Sequence, residues 1–101
     1  MDERVRAILR KHQLSEITEH HIYRQLAARQ RDANNRDVLE RIAADEKRHA
    51  ELWQRHTGET IAPNWGKVRR HVWICRLLGL TFGAKLMERG EDRAQQAYGE
   101  L

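Results

Sequence analysis

The chain has 101 residues, of which 40% are hydrophobic and 34% charged, with a formal net charge of +4. That length accommodates one domain with a thin core and a mostly charged surface, and it makes oligomerisation an expectation from the start. The single cysteine, Cys75, excludes an intrachain disulfide framework, a cysteine-built zinc site and a four-cysteine iron centre within one chain.

The first residues, Met1-Asp2-Glu3-Arg4, are charged and carry no apolar signal core. The most apolar stretch, residues 72–87, is too short to span a bilayer and contains Arg76 and Lys85. A cytoplasmic location is therefore expected. Strong helix formers dominate, Pro63 is the only proline, and no stretch alternates with period two, so the expected class is all-α.

In chain order, the first helix is predicted over residues 3–31 with Asp2 as N-cap. Asp32-Ala33-Asn34-Asn35 is turn chemistry, with Asn34 or Asn35 placed to cap a second helix over 36–56, which ends at Thr57-Gly58. Residues 57–66, with Gly58, Pro63 and Gly66, read as a loop. A third helix over 67–78 has Val68, Val72, Trp73, Ile74, Cys75, Leu77 and Leu78 on several faces and is expected to be buried against other helices, of this chain or of another subunit. A fourth is predicted over 81–101, weakened by Gly83, Gly90 and Gly99. Cys75, on the crowded third helix, reads as a small core residue.

At ~100° per residue the apolar stripe of the first helix collects Val5, Ile8, Leu9, Tyr23, Leu26 and Ala27, and His12, Glu16 and Glu19 fall on it too. The second helix marks its inner face with Val38, Leu39, Ile42, Ala43, Ala50 and Trp53, with Glu46 and His49 at the middle. The last segment spaces Ala84, Met87, Glu91, Ala94, Tyr98 and Leu101 in the same way. An ionised carboxylate in a helix-bundle core costs several kcal/mol unless a cation or hydrogen bonds compensate it. One multivalent cation shared by acids from three helices resolves three such penalties together. Glu46 and His49, at i and i+3, form the Glu-x-x-His unit that bundles offer to iron or manganese, and donors without thiolate suit those metals or zinc.

Plainer readings stand beside this one. About half a Glu-x-x-His match is expected by chance in this composition. Glu16 and Glu19 can instead sit at the core edge and pair with Arg24 or Arg48, and His12, His20 and His21 read as solvent-facing or hydrogen-bonded rather than as ligands. The positive charge is interleaved with acids, as in Asp45-Glu46-Lys47-Arg48, which argues against nucleic acid as the main partner. The compact basic knot Lys67, Arg69, Arg70 and His71 keeps a basic interaction module, nucleic-acid-binding through Lys67, Arg69, Arg70 and Arg76, open as the alternative. A structural zinc or manganese site is a further alternative. A weak internal echo places Glu16 seven positions before Tyr23 and Glu91 seven before Tyr98, where each phenol can steady a carboxylate of the facing helix.

The segments Ser15-Glu16-Ile17-Thr18-Glu19-His20-His21-Ile22-Tyr23-Arg24-Gln25-Leu26-Ala27, Asp45-Glu46-Lys47-Arg48-His49 and Gly79-Leu80-Thr81-Phe82-Gly83-Ala84-Lys85-Leu86-Met87-Glu88-Arg89-Gly90-Glu91 together resemble the ferritin-like, rubrerythrin-type di-iron family. The narrower likeness, to which Thr57-Gly58 and Pro63-Asn64 add, is to the ferritin-like domain associated with vacuolar iron transporter family proteins. The resemblance covers nearly the whole chain. It implies a ferritin-like helical bundle over residues 1–101 and a di-iron centre that takes up or oxidises Fe(II), in storage, transport delivery or peroxide removal. By position it implies Glu16 as a bridging ligand, Glu46 and His49 as the second-helix pair and Glu91 as the third-helix ligand. Glu19 and Glu88 would be extra or mobile ligands, and Tyr23 and Tyr98 supporting residues behind the ligands. It also implies a membrane iron transporter as partner. The family's last ligand-bearing helix and its rubredoxin-like cysteine set do not appear in this sequence. Two readings account for this: the chain is a piece of a longer protein, or two chains pair, each giving Glu16, Glu46 and His49 to supply a full ligand complement; the second, a homodimer, is the favoured expectation.

Overall fold

The computed structural model describes residues 2–79, which form three α-helices: α1 (Glu3–Arg29), α2 (Ala33–Thr57) and α3 (Trp65–Leu78). The predicted C-terminal helix, with Glu88, Glu91 and Tyr98, lies outside the described residues. Asp2 caps α1 by accepting from the Arg4 N–H at 2.9 Å, as expected. The second helix starts three residues earlier than predicted, because Asp32 rather than Asn34 or Asn35 is its cap: the carboxylate accepts from the Asn35 N–H at 3.0 Å. The stop after Thr57 is as read, with Gly58 left-handed at φ 69° and its N–H donating to the Gln54 carbonyl at 2.8 Å. Asn64 caps α3 through the Lys67 N–H, so this helix begins at Trp65 instead of residue 67.

Helices α1 and α2 are antiparallel, because early residues of α1 meet late residues of α2: Gln13 meets Thr57, and His20 meets Ala43. The connection after Thr57 turns back along α1, where the Asn64 N–H donates to the Thr18 hydroxyl at 3.0 Å. Helix α3 then runs alongside the second half of α1. The hydrophobic core is thin and gathers there: Ile22, Leu26 and Ala27 of α1, Leu39 of α2, and Val68, Val72 and Cys75 of α3, with Tyr23 packed against them.

Within the chain, helix α3 buries only Val68, Val72 and Cys75, while Trp73 is 58% exposed, Leu77 71% and Leu78 62%. Trp73 and Leu77 point away from α1 because successive residues turn by ~100° and a 3–4 spacing serves only one side, and Leu78 is the last residue of the helix. Val5 and Val38 of the predicted inner stripes are also exposed. Val38 lies roughly 100° from the sector shared by Leu39, Ala43 and Ala50. Cys75 is a core residue as read, and burial pushes its thiol above the ordinary range.

Candidate metal centre

Glu16 projects from the middle of α1, and Glu46 and His49 project from the facing turn of α2. Their 3–4 residue spacings kept them on the inner stripes, and the antiparallel pairing brings the stripes level. One donor atom from each of the three lies within 4.8 Å of the other two, and His49 Nδ1 stands 4.0 Å from Glu16 Oε1. Glu16 and Glu46 are half-buried, whereas the His49 side chain is 56% exposed, so the group has an inner wall of carboxylates and an outer imidazole. Arg48 does not join it. Its guanidinium pairs with Asp45 one turn along the same helix.

Hydrogen-bonded clamps flank the group on both sides. Toward the loop end, Gln13 and Thr57 are both buried: the Thr57 hydroxyl donates to Gln13 Oε1 at 2.7 Å, and Gln13 Nε2 donates to the Glu59 carbonyl at 2.6 Å. Toward the core end, His20 Nδ1 lies 2.6 Å from the Ala43 carbonyl. A carbonyl can only accept, so Nδ1 carries the proton and the ring is fixed in one tautomer. His20 is four residues beyond Glu16 and Ala43 three before Glu46, so this bond holds the two helices in the register that sets the acids opposite each other.

The neighbouring rings are packing elements. His12 stacks on Trp53 with centroids 5.2 Å apart, and His21 leans on Trp65 at 4.7 Å. Burial lowers the pKa of both imidazoles below the ordinary 6.5, helped at His21 by the nearby His20, Arg24 and Lys47. Of the three histidines expected to be solvent-facing or hydrogen-bonded, His20 is hydrogen-bonded and buried, while His12 and His21 are half-buried against tryptophan rings rather than solvent-facing.

Of the residues singled out from sequence, Glu16, Glu46 and His49 are brought together. Glu19, one turn along α1 from Glu16, is buried but stands outside the three-residue group. Tyr23 packs against the hydrophobic cluster. Glu88, Glu91 and Tyr98 lie outside the described residues. The Gln13–Thr57 clamp was not singled out; its signal was a glutamine three positions before Glu16, a polar residue in a buried turn. Chemically, two carboxylates and one imidazole without thiolate fit iron, manganese or zinc. Half-buried acids this close repel each other when ionised, and a cation between them removes that repulsion. No protein-family model, no curated protein and no solved structure matches the chain.

Proposed function

We propose that this chain is a ferritin-like di-iron carboxylate domain that binds Fe(II) and supports its oxidation, in storage, delivery to a transporter or peroxide removal. The observation that carries the proposal is the convergence of Glu16, Glu46 and His49 from two helices to within 4.8 Å. Glu16 and Glu46 supply anionic oxygen to a hard cation, and His49 supplies the nitrogen donor that favours iron, manganese or zinc over calcium or magnesium. Bound iron would supply the electron transfer toward oxygen or peroxide. The chain's own part is to hold the donors in register through the Gln13–Thr57 and His20–Ala43 bonds and to keep the carboxylate wall half-dry.

Three donors are half of what a two-iron bundle site takes, which is a glutamate from each of two helices and a Glu-x-x-His from each of two others. A second copy adding its own Glu16, Glu46 and His49 completes that set. Support comes from the side on which the group opens. Val38 and Leu52 are 54% and 45% exposed and share the sector of α2 that carries His49, so an apolar rim is available to a partner.

Anaerobic titration with Fe(II), read together with native mass, tests the reading. Uptake should approach two irons per pair of chains, and admitting air should raise a ferric absorption band. Glu46→Ala and His49→Ala should each abolish both. Absence of Fe(II) uptake, or uptake indifferent to both substitutions, would refute it, and tight binding confined to zinc would replace it with a structural site.

A further inference from the structure

Helix α3 carries Lys67, Arg69, Arg70 and Arg76 and no acid. The chain has 19 Lys and Arg against 15 Asp and Glu, so the four on α3 account for its entire formal excess of positive charge. That charge is placed with exposed apolar groups. Winding α3 at ~100° per residue sets Val68, Val72 and Cys75 inward and puts Arg70, Trp73 and Leu77 on the opposite side, with Arg69 and Arg76 along one flank. Trp73 is 58% exposed and Leu77 71%, and Leu78 at the helix end is 62% exposed. The Arg76 guanidinium lies over the Trp73 ring, 5.7 Å from its centroid, which steadies the indole on the surface. Arg29 of α1 joins Arg69 and Arg76 around a shallow groove of about 180 Å³ beside Val72 and Trp73. Among the described residues none of these three arginines has an ion-pair partner.

We propose that the outer face of α3 docks the protein on an anionic phospholipid surface. Guanidiniums around the groove take lipid phosphate, Trp73 sits at the headgroup level, and Leu77 and Leu78 reach the acyl boundary. The docking is peripheral, since no described helix is long and apolar enough to cross a membrane. A nucleic acid would satisfy the arginines, but its phosphate backbone offers nothing to two leucines and an indole exposed together; a bilayer surface receives both kinds of group. This inference uses no residue of the candidate metal centre and stands or falls apart from it.

Flotation of the full chain with vesicles decides it, using phosphatidylcholine alone and phosphatidylcholine with ~30% phosphatidylserine, a mixture whose surface draws basic residues. The chain should float with the anionic vesicles only, and its tryptophan emission should shift to the blue. Each Lys or Arg near such a surface is worth roughly a five-fold change in partitioning, so Arg69→Gln/Arg70→Gln should weaken binding about 25-fold. Trp73→Ser and, separately, Leu77→Ser should each weaken it several-fold while far-UV circular dichroism stays that of the parent. Both positions are exposed, so neither change opens the core. No flotation with anionic vesicles would overturn the proposal. So would binding untouched by Trp73→Ser and Leu77→Ser, or duplex DNA displacing the vesicles at equal phosphate.

Discussion

Replacing Thr57 by valine removes one hydroxyl from the buried clamp beside the candidate metal centre and keeps the side chain's shape. Thr57 is 4% exposed and Gln13 3%, so water cannot replace what is lost. Gln13 Oε1 loses the donor it holds at 2.7 Å, while Gln13 Nε2 stays bound to the Glu59 carbonyl at 2.6 Å, which prevents the amide from turning to find another. The Glu59 N–H loses a weaker acceptor at 3.3 Å. A buried acceptor left without a donor costs about 1–3 kcal/mol, and the threonine-to-valine change in helix propensity is small. The expected loss is about 2 kcal/mol, which lowers Tm by roughly 8–16 °C in a domain of this size. Thermal and urea unfolding of the metal-free protein at pH 7 by circular dichroism measure it. Gln13→Leu combined with Thr57→Val should cost less than the two single changes added, with a coupling of about 1 kcal/mol, because the second substitution removes the stranded oxygen. A Thr57→Val protein within about 0.5 kcal/mol of the parent, or strict additivity in the double variant, would show that the clamp does not hold the helices.

Ile22 is fully buried where all three helices meet, so Ile22→Ala should cost about 2–5 kcal/mol in urea unfolding, a large share of what a domain of this size possesses. Gly58 closes α2 at φ 69° with nothing within 4 Å of where a Cβ would stand; Gly58→Ala should therefore lose about 1–2 kcal/mol through backbone strain alone, with no repacking signature in the near-UV spectrum. His12, His21 and His71 all have pKa values lowered from 6.5, burial being the first cause at each; at His71 the bond to the Lys67 carbonyl partly opposes it. The unfolded chain then binds protons more tightly than the folded one, so the imidazole contribution is full above pH 6.5 and lost as pH falls through the lowered values. The urea midpoint should drop between pH 8 and pH 5.5, and His71→Gln should shrink that drop.

Among the described residues helix existence was legible because propensity and spacing agree over long stretches, and the Glu16–Glu46–His49 group was legible because its members keep a 3–4 rhythm with apolar neighbours. Boundaries were less so. Asp32, Asn34 and Asn35 are equivalent as caps by type, and only the backbone direction, which lets Asp32 meet the Asn35 N–H, chooses among them. The partners in the Gln13–Thr57 and His20–Ala43 contacts are 44 and 23 residues apart, so they depend on how far one helix slides along the other, which no local pattern encodes. Helix α3 shows a related limit. A run of apolar residues states that surface is available for burial, while how much of it is covered depends on what lies opposite, and within the chain only Val68, Val72 and Cys75 of α3 are buried.

The two halves of the α1–α2 pair are held by different physics, and this bears on where the chain can place chemistry. Beyond Ile22 toward the end of α1, three helices share an apolar cluster. Around Glu16, Glu46 and His49 the only fully inward apolar side chains of α2 are the small Ala43 and Ala50, and hydrogen bonds and the His12–Trp53 stack join the helices there. A seam built this way contributes little hydrophobic stabilisation, so filling it with larger apolar groups would be the cheaper way to make the domain stable. That the seam instead keeps two carboxylates and an imidazole, fixed in register by clamps on either side, is the arrangement expected when stability is given up to hold donors in place. A cation would then act twice, as the occupant of the site and as the cross-link the apolar core does not provide there. Metal-free protein should accordingly exchange the backbone amides of residues 12–17 and 46–53 faster than those of residues 22–27, and saturating Fe(II) under argon should slow the first set selectively. Uniform protection of both sets with and without metal would mean that the seam needs no occupant.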